Sequence, residues 1–204
     1  MLTKSGGWWM SDESPPIHRS GDSAVSPYFG TGARLSDCGA YRYTLTRRWA
    51  NDGPTATFIM LNPSTADAEQ DDPTIRRCLG FAKALGCGRL IVGNLYAYRA
   101  TKPADLWLAA DPVGPDNDAT LAALADTDGP LIAAWGINAK PARVGAALTL
   151  LGPKLTALGV TKQGAPRHPL YLPGTVRPTP FDPQPTDRVM DLNEALAQAV
   201  EVKR

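Results

Sequence analysis

Residues 55–61 read TATFIML, seven positions without a charge, closed by Asn62-Pro63. The run is too short for a helix and rich in β-branched and aromatic residues, so it reads as a strand apolar on both faces. Strands of that kind belong in a sheet covered by helices on both sides. Working outward, two more runs have the same character: LIVGNL at Leu90–Leu95 and LIAAW at Leu131–Trp135. Leu155–Val160 is a shorter candidate. Helical periods lie between them. Pro73–Leu85 puts Ile75, Leu79, Phe81, Ala82 and Leu85 on one stripe, with proline in its first turn, where a missing N–H costs nothing. Gly86 ends it. Asp116–Ala125 and Ala139–Leu151 are also helical, and a short helix falls around Ala104–Ala109. Strands alternating with helices predict a three-layer α/β/α sandwich with a mostly parallel central sheet.

Upstream, Tyr41–Trp49 alternates. Tyr41, Tyr43 and Leu45 fall on one face, and Arg42, Thr44 and Thr46 on the other. That is the pattern of a half-exposed strand. The Asn51-Asp52-Gly53-Pro54 turn then predicts an N-terminal β-hairpin joining it to Thr55–Leu61. Residues 1–36, rich in Ser, Gly and Pro, read as an irregular arm on which Trp8 and Trp9 can dock against the domain. Residues 37–204 then form a single α/β domain. Its end is a loop-like, proline-rich stretch to Pro185, followed by a helix over 187–202 capped by Thr186 or Asp187.

A chain of 204 residues can bury one sizeable core. Its net charge of +1 supplies no global field toward nucleic acid. The charges are segregated, however. Lys102 to Lys140 encloses six aspartates and no basic residue, whereas Lys140 to Arg177 has six basic residues and no acid. The segments read either as two solvated faces or as a basic lip suited to phosphate. Three cysteines without a CxxC, and only two histidines, predict neither a disulfide framework nor a metal site; a reducing cytoplasm fits. No apolar run is long enough to span a membrane, and no signal peptide is evident.

Each apolar strand ends in polar or small residues. The first leads into Asn62-Pro63-Ser64-Thr65-Ala66-Asp67 and the second into Asn94-Leu95-Tyr96-Ala97-Tyr98-Arg99. The third ends in Trp135-Gly136-Ile137-Asn138, and Lys162-Gln163-Gly164-Ala165-Pro166-Arg167-His168-Pro169 follows the last. Ligands of open α/β sheets bind outside the carboxyl ends of the strands, so these four segments predict one site. Ser64 and Thr65 can turn a hydroxyl into it. Asp72, just before Pro73, suits a helix cap. Asp67 has no capping role and can hold a water, or simply stabilise its own loop. Arg99, between Tyr96 and Tyr98, can grip a phosphate or stack on a base. His168, between Arg167 and Pro169, can move a proton or stabilise a leaving anion.

Five strings, CGAYRYTLTRRW, FIMLNPSTADAEQDDPTIRRC, NLYAYRAT, AAWG and TKQGAPRHPLYL, resemble the domain-of-unknown-function family 1643 over Asp37 to Leu172. The motif order is also similar to that of the uracil-DNA glycosylase superfamily. That resemblance implies a glycosylase-like fold and a pocket of nucleobase size. Leu61-Asn62-Pro63-Ser64 stands where the superfamily has a catalytic Asp or Asn followed by Pro, and Asn94 where an Asn reads the base. Ala134-Trp135-Gly136 resembles its Leu-Trp-Gly, and Arg167-His168-Pro169-Leu170 its His-Pro-Ser loop. Leu170 departs from the serine that contacts the DNA backbone. On these grounds Asn62, Asp67 and His168 are the expected catalytic residues. Ser64, Thr65, Asn94, Tyr96, Arg99, Trp135, Lys162 and Arg167 are the expected ligand contacts. The expected partner is a nucleotide or nucleic acid carrying a normal or modified base, with no cofactor and no metal. Hydrolysis of an N-glycosidic bond and binding without chemistry both fit.

Overall fold

The computed structural model describes residues 30–64, 71–100 and 102–183. Thr65, Asp67, the tryptophans at 8 and 9 and the expected helix at 187–202 lie outside the described residues. In chain order the elements are β1 (Gly30–Leu35), β2 (Arg42–Arg48), β3 (Thr55–Met60), α1 (Pro73–Ala84), β4 (Arg89–Asn94) and α2 (Pro103–Leu106). They continue with α3 (Asn117–Leu124), β5 (Leu131–Ala133), α4 (Pro141–Leu151), β6 (Leu155–Ala157), a 3-10 turn (Pro169–Tyr171) and β7 (Thr179–Pro180).

All seven strands form one sheet in the order β1-β2-β4-β3-β5-β6-β7. The inner four, β4, β3, β5 and β6, are parallel to one another, while the β1–β2, β2–β4 and β6–β7 pairs are antiparallel. The expected mostly parallel sheet is therefore a mixed one, parallel at its centre and antiparallel toward both edges. Every residue of β3 is buried, which requires a strand on each side and helices on each face.

The expected hairpin between Tyr41–Trp49 and Thr55–Leu61 does not form. β2 pairs with β4 on one side and with β1 on the other, so the turn at 51–54 carries the chain past the place that β4 later fills. Polarity explains the choice, since the Arg- and Thr-rich β2 suits a place away from the fully apolar centre. The hairpin that does form uses Gly30–Leu35, inside the stretch read as irregular. β1 is mostly half-buried or exposed, and its extended form follows from pairing with β2.

Helices cover both faces. Ala56, Phe58 and Met60 of β3 pack with Ile75, Cys78, Leu79, Phe81 and Ala82 of α1. Ile59 packs on the other face with Leu121 of α3 and with Val144, Ala147 and Leu151 of α4. Chain progression reverses at β3, since α1 leads to β4 on one side and α3 leads to β5 on the other. That reversal opens a crevice at the carboxyl end of β3, the place where such sheets bind ligands. No helix among the described residues is long and apolar enough to cross a membrane.

Candidate functional site

A cavity of about 550 Å³ opens at this switch point. That is an ordinary size for a small-molecule site, where roughly 300–1,000 Å³ is usual. Its lining comes from every strand end that the sequence singled out: Asn62 and Ser64 after β3, Asn94 at the end of β4, Trp135 after β5, and Arg167 and His168 before the 3-10 turn.

Asn62 is held from both sides. Its Nδ2 donates to the Pro63 carbonyl at 3.1 Å and to the Ala100 carbonyl at 2.9 Å. Two carbonyl partners fix which end of the amide is NH₂, so Oδ1 is the atom left to accept from the cavity. The backbone beneath is equally fixed, because Leu95 and Tyr96 N–H groups donate to the Met60 and Leu61 carbonyls and so extend the ladder past both strand ends.

Asn94 is 2% exposed, and its side chain makes no hydrogen bond among the described residues. Its own carbonyl accepts from Asn117 Nδ2 at 3.1 Å, and the next carbonyl, of Leu95, accepts from Asn117 Nδ2 and from Arg143 Nε at 2.7 Å. α3 and α4 thus clamp the backbone while the amide lines the cavity. Its amide atoms are not among the sealed, unpartnered polar atoms of the described residues, so they open onto the cavity, where water or a ligand can bond them. Asn94→Leu keeps the volume and removes the polar atoms. In thermal melts we expect this variant to be as stable as the parent or more so, while ligand binding is lost.

His168 caps the 3-10 turn, its Nδ1 accepting from Leu170 N–H at 3.3 Å. In the neutral ring the proton therefore sits on Nε2. Burial pushes the His168 pKa below the usual 6.5, with the nearby Asp72 pulling weakly the other way. The imidazole is thus neutral at pH 7 and offers an N–H donor. Its loop is anchored by the Gly136 N–H to the Pro166 carbonyl at 3.0 Å, with Gly136 at φ +73°, a conformation that favours glycine. Arg77 of α1 fastens the far end by donating to the Leu172 carbonyl.

Asp72 caps α1 as expected, its Oδ1 accepting from Ile75 N–H at 2.8 Å. Its Oδ2 accepts from Ser64 Oγ at 2.9 Å, so the cap also ties down the segment after β3.

Three expected contacts lie elsewhere. Tyr96 packs edge-on against Trp107, and its hydroxyl accepts from Lys140 N–H at 3.2 Å, on the α4 side of the sheet. The strand ends at Asn94, and the alternation that would keep Tyr96 beside it ends there too. Arg99 donates to the Gly39 carbonyl at 3.2 Å in the loop before β2 and does not line the cavity. Lys162 is exposed in the turn beside the site and does not line the cavity. The basic run also divides: Arg143 is buried and pairs with Asp118 of the acidic run at 2.6 Å, while Arg167 is the member that lines the cavity.

Sequence reading missed Arg42, which is 4% exposed and lines the cavity. Strict alternation puts it on the face of Thr44. The β1–β2 register, however, runs from Arg34↔Thr44 to Leu35↔Arg42 and skips Tyr43. Arg34 lies over the Tyr43 ring and bonds Thr120 of α3, so Tyr43 is on the α3 face. The bulge turns Arg42 to the α1 face, with Met60 and Val92. Bulges often re-aim side chains in this way beside functional sites. Burial lowers the Arg42 pKa to about 10, helped by the charge of Arg99 and opposed by Asp72, so it stays charged at pH 7.

A family model for proteins of unknown function, DUF1643, matches residues 42–170, more than half of the chain. The chain belongs to the DUF1643 family. The match covers every described cavity-lining residue except Tyr171, so nearly all of the site lies within the part of this DUF1643 protein that the family shares. No curated protein and no solved structure matches the chain. Among the described residues, no group of three His, Cys, Asp or Glu side chains could hold a metal ion, and Cys38, Cys78 and Cys87 are free thiols.

Proposed function

We propose that this DUF1643 protein binds a nucleobase, carried on a nucleotide or a nucleic-acid strand, and hydrolyses its N-glycosidic bond. The observation that carries the reading is the Asn94 amide, which makes no hydrogen bond among the described residues and lines a cavity also lined by Asn62, with its Oδ1 acceptor, and by His168, with its Nε2–H donor. A base edge presents adjacent donors and acceptors, which an amide on a cavity wall can pair with. Tyr171 and Ile137, 74% and 68% exposed, stand at the lining as apolar plates for a ring, and Arg167 is placed for phosphate. The motif resemblance to the uracil-DNA glycosylase superfamily supports the same chemistry.

In the proposed step a water held by Asn62 Oδ1 adds to the sugar C1′ as the C1′–N bond breaks. The bonding electrons leave with the base, and His168 Nε2–H hydrogen-bonds the atom on which charge develops. Asn62 orients the water, and the proton it loses passes to solvent. A duplex substrate would first have to extrude its base.

Asp72 favours a second reading. It is the one carboxylate among the described lining residues, and both of its oxygens are engaged by the helix cap and Ser64. With that carboxylate so engaged, a module that binds nucleobases and does no chemistry fits as well. An assay for base release over normal and modified nucleotides and oligonucleotides separates the two. Under the hydrolase reading one substrate loses its base, and Asn62→Ala abolishes that loss while binding persists. Saturable binding with no released base for any substrate supports the module. Turnover unchanged in Asn62→Ala would overturn its role.

A further inference from the structure

We propose that the ligand of this site is one base of a single-stranded polynucleotide, and that the loops around the cavity mouth bind the nucleotides next to it. The inference rests on the nucleobase reading above and narrows it. Four of the six large apolar side chains exposed among the described residues, Ile137, Val160, Leu170 and Tyr171, lie on the loops at the mouth. Apolar residues scattered singly over a surface need no explanation, whereas a cluster of them marks an interaction site. The loops are joined to one another. Gly136 N–H donates to the Pro166 carbonyl, and Val160 and Pro166 form an antiparallel bridge. The turn between those two is closed by Thr161 N–H to the Ala165 carbonyl and by Arg167 N–H to the Gly159 carbonyl, both at 2.8 Å. A turn bonded in this way holds its shape before a partner arrives, so binding to it costs little ordering.

Reach separates a strand from a free nucleotide. Ile137, Arg167 and Tyr171 line the cavity, but Val160, Lys162 and Leu170 do not. A mononucleotide seated in the cavity leaves those three in water, and a chain that continues out of the mouth covers them. Charge separates a strand from a protein. The turn carries Lys162 and Arg167, both exposed, and the chain from Lys140 to Arg177 holds no acid. Lysine is depleted in protein–protein interfaces, whereas cations interleaved with apolar plates suit phosphates and base faces. A duplex fits less well than a single strand. A net charge of +1 supplies few of the contacts that a double row of phosphates rewards. A single strand also offers its base without the cost of extrusion.

The test is calorimetric binding to the full chain of mixed-sequence DNA and RNA single strands of about ten residues, within the usual site size of a strand-binding groove. The same DNA as a duplex and the nucleoside monophosphates GMP, UMP, AMP and CMP are the comparisons. We expect a single strand to bind about tenfold or more tightly than any monophosphate, the gain that one stacked neighbour supplies, and more tightly than the duplex. Its log affinity is expected to fall with log salt at a slope of about −1.4, for two phosphates at about −0.7 each. Lys162→Gln is expected to halve that slope, and Val160→Ser to weaken strand binding about threefold. Both variants are expected to bind monophosphates as the parent does, because neither residue lines the cavity. Tighter binding of either sugar supports the proposal and identifies the strand. Single strands that bind no more tightly than monophosphates assign the site to a free nucleotide, which overturns this inference and leaves the nucleobase reading standing. A duplex that binds more tightly than the single strand overturns it as well, and so does a strand affinity unchanged in both variants. Self-association of the chain that Val160→Ser abolishes, with no gain from strand length, makes the face a protein contact and overturns it too. Binding of neither monophosphates nor strands overturns the nucleobase reading itself.

Discussion

His168→Ala is expected to lower base release by about 10²–10³-fold, the usual effect of removing one preorganised donor aimed at developing charge. The magnitude follows from how the ring is held. Nδ1 is occupied by Leu170 N–H, so the donor that remains is Nε2–H, fixed in direction before substrate arrives. The ring also packs against Tyr171 at 5.7 Å, which limits its rotation. Such a donor costs nothing to reorient during the reaction. The pH dependence has a definite sign. Burial lowers the His168 pKa, so the neutral ring persists above that value and activity is held there. On acidification the second proton must go to Nδ1, which turns an acceptor into a donor facing Leu170 N–H and releases the cap. Activity is thus expected to fall on the acid side with a midpoint below 6.5. The same linkage affects stability: it is complete above the unfolded value and declines as pH drops through the lowered one. A pH–rate profile in parent and variant checks both points. A profile that rises on acidification, or a His168→Ala rate within threefold of the parent, would sink this role.

The location of this site was legible because it depends on strand ends, and buried strands are the strongest signal in the sequence. TATFIML, LIVGNL and LIAAW announced themselves by lacking charge, and the polar residues after them followed by position alone. Asn62, Ser64, Asn94, Trp135, Arg167 and His168 all line one cavity for that reason. Partner choice between strands was not legible. A turn such as Asn51-Asp52-Gly53-Pro54 fixes a reversal of the chain but not which strand fills the neighbouring place, and β4 enters from 29 residues beyond β3. Arg42 was hidden by one skipped residue, since period-two reasoning fails on the far side of a bulge. Tyr96 and Arg99 also follow a buried strand, yet neither lines the cavity, since Tyr96 packs against Trp107 and Arg99 bonds the Gly39 carbonyl. Asp72 was read for its cap alone, although a carboxylate has a second oxygen, and here that oxygen holds Ser64.

Phe58→Ala is expected to cost about 3–5 kcal/mol of unfolding free energy, the range for deleting a fully enclosed aromatic side chain. Phe58 is 0% exposed on the central strand, between Val92 of β4 and Ile132 of β5, and it packs under α1. Neighbours on two strands and a helix cannot collapse together into the space it leaves, so the cavity term adds fully to the lost burial. Against a total stability of about 5–15 kcal/mol, such a loss removes a large share of the margin. Phe58→Leu refills most of the volume and is expected to cost no more than about 1–2 kcal/mol. Urea unfolding of both variants, with the slope held to the parent value, measures the difference. The consequence reaches the site because Met60, two residues on and on the same face, lines the ligand cavity, and Asn62 follows directly from that strand end. A void beneath Met60 loosens the strand end from which the Asn62 amide is aimed. Phe58→Ala is therefore expected to weaken ligand binding even where the protein remains folded, and Phe58→Leu to spare it. Equal stability loss in the two variants, or a loss under about 1 kcal/mol in Phe58→Ala, would contradict an enclosed Phe58 and with it the rigid strand end that positions the site.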